Sequence, residues 1–264
     1  MAHQPGHALL WEGVVTSGSI DLSNTPNILL AGLTADEKAV IRPFLKRYNF
    51  EARAVLENRN LPVPIAHFME TGFVSIVAST THDRRVEVGI IGREGMTGLP
   101  LILGSAQSPN TSIVQVAGTS LGIEGPRLAR LMDAWPSLHH RLDLFVQSFL
   151  VQISQTTLAN SKANVEQRLA RWLVMACDRV DGNAIPLTHE FISMMLGVRR
   201  AAVTLALHHL EAGHFIRASR GLVTIRDYDK LRIYAGGLYG VAEAEYERLL
   251  GTSFSRYQEP AAAE

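Results

Sequence analysis

Residues 188–210 restrict the possible folds of this chain more than any other stretch. They run Thr188-His189-Glu190-Phe191-Ile192-Ser193-Met194-Met195-Leu196-Gly197-Val198-Arg199-Arg200 and on to Leu210. Thr188 follows Pro186-Leu187 and stands where a helix N-cap belongs. Counting from His189, the small residue Ser193 falls fifth, where two crossing helices must approach closely. Gly197 falls ninth, where a tight turn needs a backbone angle that glycine adopts at low cost. Ile192, Leu196, Val198, Val203 and Ala206 fall on the inward faces of the two helices. The second helix carries Arg199, Arg200, Ala201, Thr204 and His208 outward, three to four residues apart. A helical hairpin inside a larger core can share this spacing, so the flanks decide.

Phe215, Ile216, Leu222, Val223 and Ile225 are strand formers on either side of a Ser219-Arg220-Gly221 turn. A helix-turn-helix followed at once by a basic hairpin is a winged helix. Its expected partner is double-stranded DNA, because arginine can bridge guanine O6 and N7 or hold a phosphate. No Ser, Thr, Asn or Asp caps the second helix, so its first N–H groups await another acceptor, which a DNA phosphate could be. Charge agrees with this placement. The formal net charge of the chain is zero. Residues 161–226, however, hold nine Lys/Arg against five Asp/Glu, and residues 227–264 hold four against seven.

At 264 residues the chain is long enough for two modest domains, and a 47% hydrophobic, 19% charged composition is that of a globular protein. The single cysteine, Cys177, lies in an apolar run and reads as a buried structural thiol; alone it cannot ligate an iron–sulfur cluster. No leader pattern or membrane-length apolar run occurs, so the expected location is the cytoplasm, with no membrane contact.

Residues 1–24 read as a flexible tail and 25–136 as a β-rich domain. Within the latter, Thr34 with Glu37 forms a capping box for a short helix. Short β-branched segments follow at Ala54–Leu56, Ala66–Met69, Gly72–Val77, Val86–Ile91, Ser112–Val116 and Leu121–Ile123, with turns every eight to twelve residues or so. That rhythm predicts an antiparallel, jelly-roll type β-roll. Asp83 and Glu87 beside Arg84 and Arg85 read as solvated hairpin charges. Residues 137–160 contain neither proline nor glycine and predict one long helix. On it Leu138, Leu142, Phe145 and Phe149 form a heptad-like seam, with Val146, Leu150 and Ile153 as a second stripe beside it. One stripe can pack on the chain's own sheet; the other needs a partner, most simply a second copy. The first seam is assigned to a homodimer, since a palindromic DNA site needs two recognition helices. Residues 161–228 hold the winged helix and 229–264 an acidic helical tail. The fold class is therefore α+β.

A β-roll, a long dimer helix and a C-terminal winged helix, in that order, resemble the cyclic-AMP receptor protein / fumarate–nitrate regulator (Crp/Fnr) family of bacterial transcription regulators. The resemblance covers roughly residues 25–228. It implies a homodimeric regulator bound to a palindromic operator, with RNA polymerase as a further partner. It also implies that Arg200 reads a base. Ala201 stands where many members carry a glutamate, and Leu205 where some carry a second arginine, so a different operator is expected. The family's nucleotide pocket would fall at Met96, Gly98, Leu99, Asn110, Thr111 and Ser154. Leu99 replaces the ribose-holding glutamate and Asn110 the phosphate-holding arginine, so tight cyclic-AMP binding is not expected. No cofactor is predicted. As axial haem ligands His67, His82, His139 and His140 rank below a purely structural role.

The DNA-binding set is thus Thr188, Arg199, Arg200, Ala201, Thr204, His208 and the wing residue Arg220. A rival reading makes the β-roll a ligand-sensing module whose winged helix contacts proteins. Catalysis ranks last: the sequence has no phosphate-binding glycine loop, HExxH, GxSxG or CxxC motif, and no metal site is predicted.

Overall fold

The computed structural model describes residues 14–16, 20–82 and 84–256. Two four-stranded antiparallel sheets face each other in the N-terminal half. One has the order β1-β2-β8-β4, from Val14–Thr16 (β1), Lys46–Phe50 (β2), Ile65–Met69 (β4) and Gly118–Glu124 (β8). The other has the order β3-β7-β5-β6, from Val55–Glu57 (β3), Phe73–Ser79 (β5), Arg85–Ile91 (β6) and Thr111–Val116 (β7). Buried Phe68, Val74, Ile76, Val114 and Leu121 fill the space between them. This is the expected β-roll. Two strands escape the sequence pattern. β1 lies inside the expected tail of residues 1–24 and pairs with β2, and Leu22 of the same stretch is buried in the core. Residues 1–13 and 17–19 of that tail lie outside the described residues.

Short helices close the roll: α1 (Ile28–Ala31), α2 (Ala35–Ile41) and α3 (Leu99–Ile102). The capping box of α2 forms as expected: the Thr34 N–H donates to Glu37 Oε2 at 2.9 Å, and the Glu37 N–H to Thr34 Oγ1 at 3.2 Å. Helix α4 (Gly125–Ala134) ends at Trp135, because Pro136 cannot extend it and instead opens α5 (Pro136–Lys162).

The structure corrects the assignment of Leu138, Leu142, Phe145 and Phe149 to a dimer seam. All four are buried within the chain's own core. Helix α5 lies close against the roll, and a Cβ built on Gly95 would come within 2.2 Å of the Phe145 ring. Gln152 of α5 completes the contact, its Oε1 accepting from the Ile90 N–H at 2.8 Å and its Nε2 donating to the Ile90 carbonyl at 3.2 Å. The stripe left outward carries Leu150 and Leu158, 50% and 44% exposed.

Helix α6 (Val165–Cys177) follows, capped by Asn164 with Gln167. Then come β9 (Ala184–Pro186), α7 (His189–Leu196), α8 (Arg200–Ala212), β10 (Ile216–Ser219) and β11 (Leu222–Ile225). Cys177 is buried, as expected, and burial pushes its thiol up to about 11. The segment expected as an acidic tail is ordered as α9 (Tyr228–Tyr234) and α10 (Val241–Leu250), and α10 packs along α5. Its Tyr246 is buried and donates to the Glu94 carbonyl at 2.7 Å. Residues 257–264 lie outside the described residues.

The two halves are joined by buried polar groups. Glu87, expected as a solvated hairpin charge, is 6% exposed and is corrected accordingly; Asp83 lies outside the described residues. The Trp172 indole N–H of α6 donates to Glu87 Oε1 at 2.7 Å, and Ser75 Oγ donates to its other oxygen. Burial pushes this carboxyl up to about 7, against the hydrogen bonds from Ser75 and Trp172. The folded chain therefore keeps a proton that the unfolded chain has lost. That contribution is complete below the ordinary carboxylate pKa near 4.5 and is lost as pH rises through about 7. Glu87→Gln is expected to gain on the parent by roughly 1–3 kcal/mol between pH 5 and pH 8. Thermal melting of both proteins across that range checks it; parallel pH profiles would contradict it.

Candidate nucleic-acid interface

Helices α7 and α8 meet at a bend of 104°, within the range of a helix-turn-helix. Thr188 caps α7 through Oγ1, which accepts from the Phe191 N–H at 3.2 Å. Ser193 Oγ donates to the Val198 carbonyl at the turn. Gly197 has φ of +62°, left-handed as the spacing predicts. Gly197→Ala adds a Cβ to that conformation and is expected to destabilise the fold by about 1 kcal/mol, read by urea denaturation. Ile192, Leu196, Val203 and Ala206 are buried as expected, and Val198 is half-buried.

The wing forms the sheet β10-β11-β9, with Arg220 and Gly221 at the exposed tip. Glu211 of α8 fixes the wing to the helix, its Oε1 accepting the Ala218 N–H at 3.1 Å. Between them lies an open cleft of about 730 Å³ whose lining includes Thr188, His189, Thr204, His208, Ser219 and Arg220. Arg199, Arg200, Ala201 and His208 are exposed. Six of the seven residues of the expected DNA-binding set thus lie on α8, at its N-cap or on the wing, and Thr188, at the start of α7, lines the cleft between helix and wing.

Some details of this region were not visible in the sequence. Arg200 pairs with Glu190 of α7, Nη2 to Oε2 at 3.0 Å, both side chains well exposed. Thr204 Oγ1 donates to the Arg200 carbonyl at 3.1 Å and lies 3.2 Å from His189 Nδ1, so its hydroxyl is already engaged. Arg199 supplies the N-cap of α8 without a side-chain cap bond, as the sequence implied. The i, i+4 neighbourhood of Arg200 and Thr204 was legible; the return contacts from α7 depend on the crossing angle.

The expected effector residues sit differently. Met96 is wholly buried in the core. Gly98 (φ +81°) precedes α3, and its N–H donates to Glu57 Oε1 at 2.6 Å. Glu57 is buried, and burial raises its carboxyl above the usual range. Leu99 is half-buried at the start of α3, and Asn110 and Thr111 are half-exposed where β7 begins. Ser154 lies on the exposed face of α5 and donates to its own helix at the Leu150 carbonyl, 2.9 Å away. Gln152, not Ser154, faces the roll.

The four histidines are scattered. His67 is buried between Tyr48 and Phe50, with Nδ1 3.1 Å from Ser120 Oγ, and burial lowers its pKa to about 3. His82 and His140 are exposed, and His139 Nε2 lies 3.0 Å from the Ile102 carbonyl. Among the described residues no three His, Cys, Asp or Glu side chains converge as a metal site. No single described helix is long and apolar enough to cross a membrane.

The described residues thus form a two-sheet roll, a long connecting helix and a winged helix, in that order. Residues 167–234 match the sequence model of the Crp-like helix-turn-helix domain. Solved structures agree on the fold. The c-di-GMP-responsive global regulator CLP of Xanthomonas campestris is 17% identical with a TM-score of 0.59, covering 73% of this chain and 99% of its own. FixK2 of Bradyrhizobium japonicum is 13% identical with a TM-score of 0.62, covering 72% and 96%. A CRP/FNR-family transcriptional regulator of Thermus thermophilus is 16% identical with a TM-score of 0.59, covering 72% and 98%. No curated protein matches the chain in sequence. The chain carries a Crp-like helix-turn-helix domain, and its fold is that of solved structures that include a CRP/FNR-family transcriptional regulator.

Proposed function

We propose that this chain is a cytoplasmic, homodimeric, sequence-specific DNA-binding transcription regulator whose β-roll does not bind a cyclic nucleotide tightly. The observation that carries the reading is the outer side of α8: Arg199 and Arg200 exposed at its start, with Arg220 on the wing across an open cleft. Helix α8 reads base edges while the wing and the open helix N-terminus hold phosphates. The dimer forms through the outward stripe of α5 around Leu150 and Leu158, because the inward seam is already filled. In the roll, Leu99 and Asn110 lack the groups that hold ribose and phosphate, and the Gly98 N–H already has an acceptor in Glu57. RNA polymerase as a further partner rests on the resemblance alone.

Selection of bound fragments from random duplexes, with equilibrium sedimentation of the protein, tests this. The expected result is a palindromic site with half-sites ~34 Å or a small multiple apart, bound by a dimer, with affinity falling steeply as salt rises. A monomer that enriches no sequence would overturn it. Unselective DNA with capture of a protein through the wing would favour the rival ligand-sensing reading.

A further inference from the structure

One strip of α8, the one directly opposite its buried residues, carries few hydrogen-bonding groups. Val203, Ala206, Leu207 and Leu210 are buried and mark the inner side of the helix. Diametrically opposite, at helical spacing, stand Ala201, Leu205, His208 and Ala212, all exposed. Leu205 is 60% exposed and is one of the few large apolar side chains left in solvent among the described residues. It sits four residues beyond Ala201, so the two apolar groups lie about 5–6 Å apart on one face. Arginines flank this face: Arg199 and Arg200 at the start of the helix, and Arg220 on the wing.

An exposed leucine on a helix that begins with two exposed arginines fits a polyanion that offers an apolar group at a fixed depth. In the major groove the thymine C5-methyl is that group; guanine, adenine and cytosine present only donors and acceptors there. We infer that Leu205, with Ala201 beside it, reads thymine methyl groups, so each operator half-site places thymine within about two base pairs of the base read by Arg200. Side chains with forked donors, which would prefer guanine or adenine, are absent from the middle of this face. His208 is its single polar member and lies toward the wing, lining the cleft. The inference rests on the reading of α8 as the groove-reading helix and deepens it to a base preference.

Uracil differs from thymine only by the missing methyl, so it isolates the contact. The operator selected from random duplexes is resynthesised with each thymine of a half-site replaced by uracil in turn, and binding is followed by fluorescence anisotropy. The full-length protein is expected to lose roughly 3- to 10-fold in affinity at one or two positions per half-site. Leu205→Ala should bind the thymine operator more weakly and show no further loss with uracil at the Leu205 position. Its exposure makes a folding defect unexpected, and circular dichroism checks this. Unchanged affinity at every uracil position, or full uracil sensitivity in the Leu205→Ala protein, would overturn the contact while leaving DNA binding intact. A protein that binds no duplex overturns both the contact and the reading beneath it.

Discussion

Arg179→Met is expected to destabilise the fold by about 3–5 kcal/mol, well beyond the effect expected of Gly197→Ala. Arg179 follows α6 and is 0% exposed. Its Nη2 lies 2.7 Å from Glu94 Oε1, its Nε donates to the same oxygen at 2.8 Å, and Nη1 donates to the Met175 carbonyl at 2.7 Å. The guanidinium also lies over the Phe254 ring, 4.8 Å from the centroid. Glu94 belongs to the loop after β6, so the pair joins the roll to the winged helix. Methionine keeps much of the volume but leaves the Glu94 carboxylate buried, with the Gly92 N–H as its remaining donor at 3.1 Å. Desolvating a charge without a counter-ion produces the cost. The double exchange Glu94→Gln with Arg179→Met removes both charges and is expected to recover most of the loss. Urea denaturation of the parent, both single variants and the double variant measures the coupling. An Arg179→Met protein within about 1 kcal/mol of the parent would show that the pair contributes little to the joint.

The second large effect concerns Arg200. On the selected operator, Arg200→Ala is expected to reduce discrimination at one base pair per half-site by ~1–3 kcal/mol. In the structure the side chain pairs with Glu190, but both partners are exposed, so the pair itself contributes only about 0–1 kcal/mol and yields readily to a base edge. Arg220→Ala on the wing should instead weaken all sequences alike and lower the salt slope by about one phosphate. Binding measured on the operator and on its single-base variants separates these outcomes. An Arg200→Ala protein with unchanged base preference would remove Arg200 from base reading.

Local signals made much of this legible. The Ser193 and Gly197 spacing, the Thr188 cap and the turn at Arg220 are short-range features, and they placed α7, α8 and the wing. The alternating runs from Val55 to Glu124 placed six strands of the roll. What failed depended on distant partners. Lys46–Phe50 begins with two exposed cations and gains its strand character only by pairing with β1 and β8. Glu87 sits in a run of charges, and its burial comes from Trp172, 85 residues away. Helix α5 carries apolar groups on two sides, and periodicity cannot say which side the chain covers itself. The acidic helical tail was legible as helix, but nothing in its four charged residues on α10 showed that Ala242, Tyr246 and Leu250 pack inward. For the interface, residue identities were readable, while the engagement of Thr204 and the pairing of Arg200 followed from a crossing angle that no sequence window contains.

The return of α10 to α5 changes how the winged helix is attached. The chain leaves the roll assembly once at the end of α5 and comes back once before α10, so the reading head is topologically an insert held at both its entrance and its exit. Asp178 reinforces this second attachment by accepting from Tyr228 at 2.8 Å and from the Arg256 N–H at 3.0 Å. The head is thus tied to the roll by its entrance, by its exit and by the buried Glu87–Trp172 and Glu94–Arg179 contacts between them. Re-aiming the recognition helices would therefore disturb this second attachment as well as the Trp172–Glu87 and Arg179–Glu94 contacts, and a cut in the linker between α9 and α10 would leave those two contacts to hold the head.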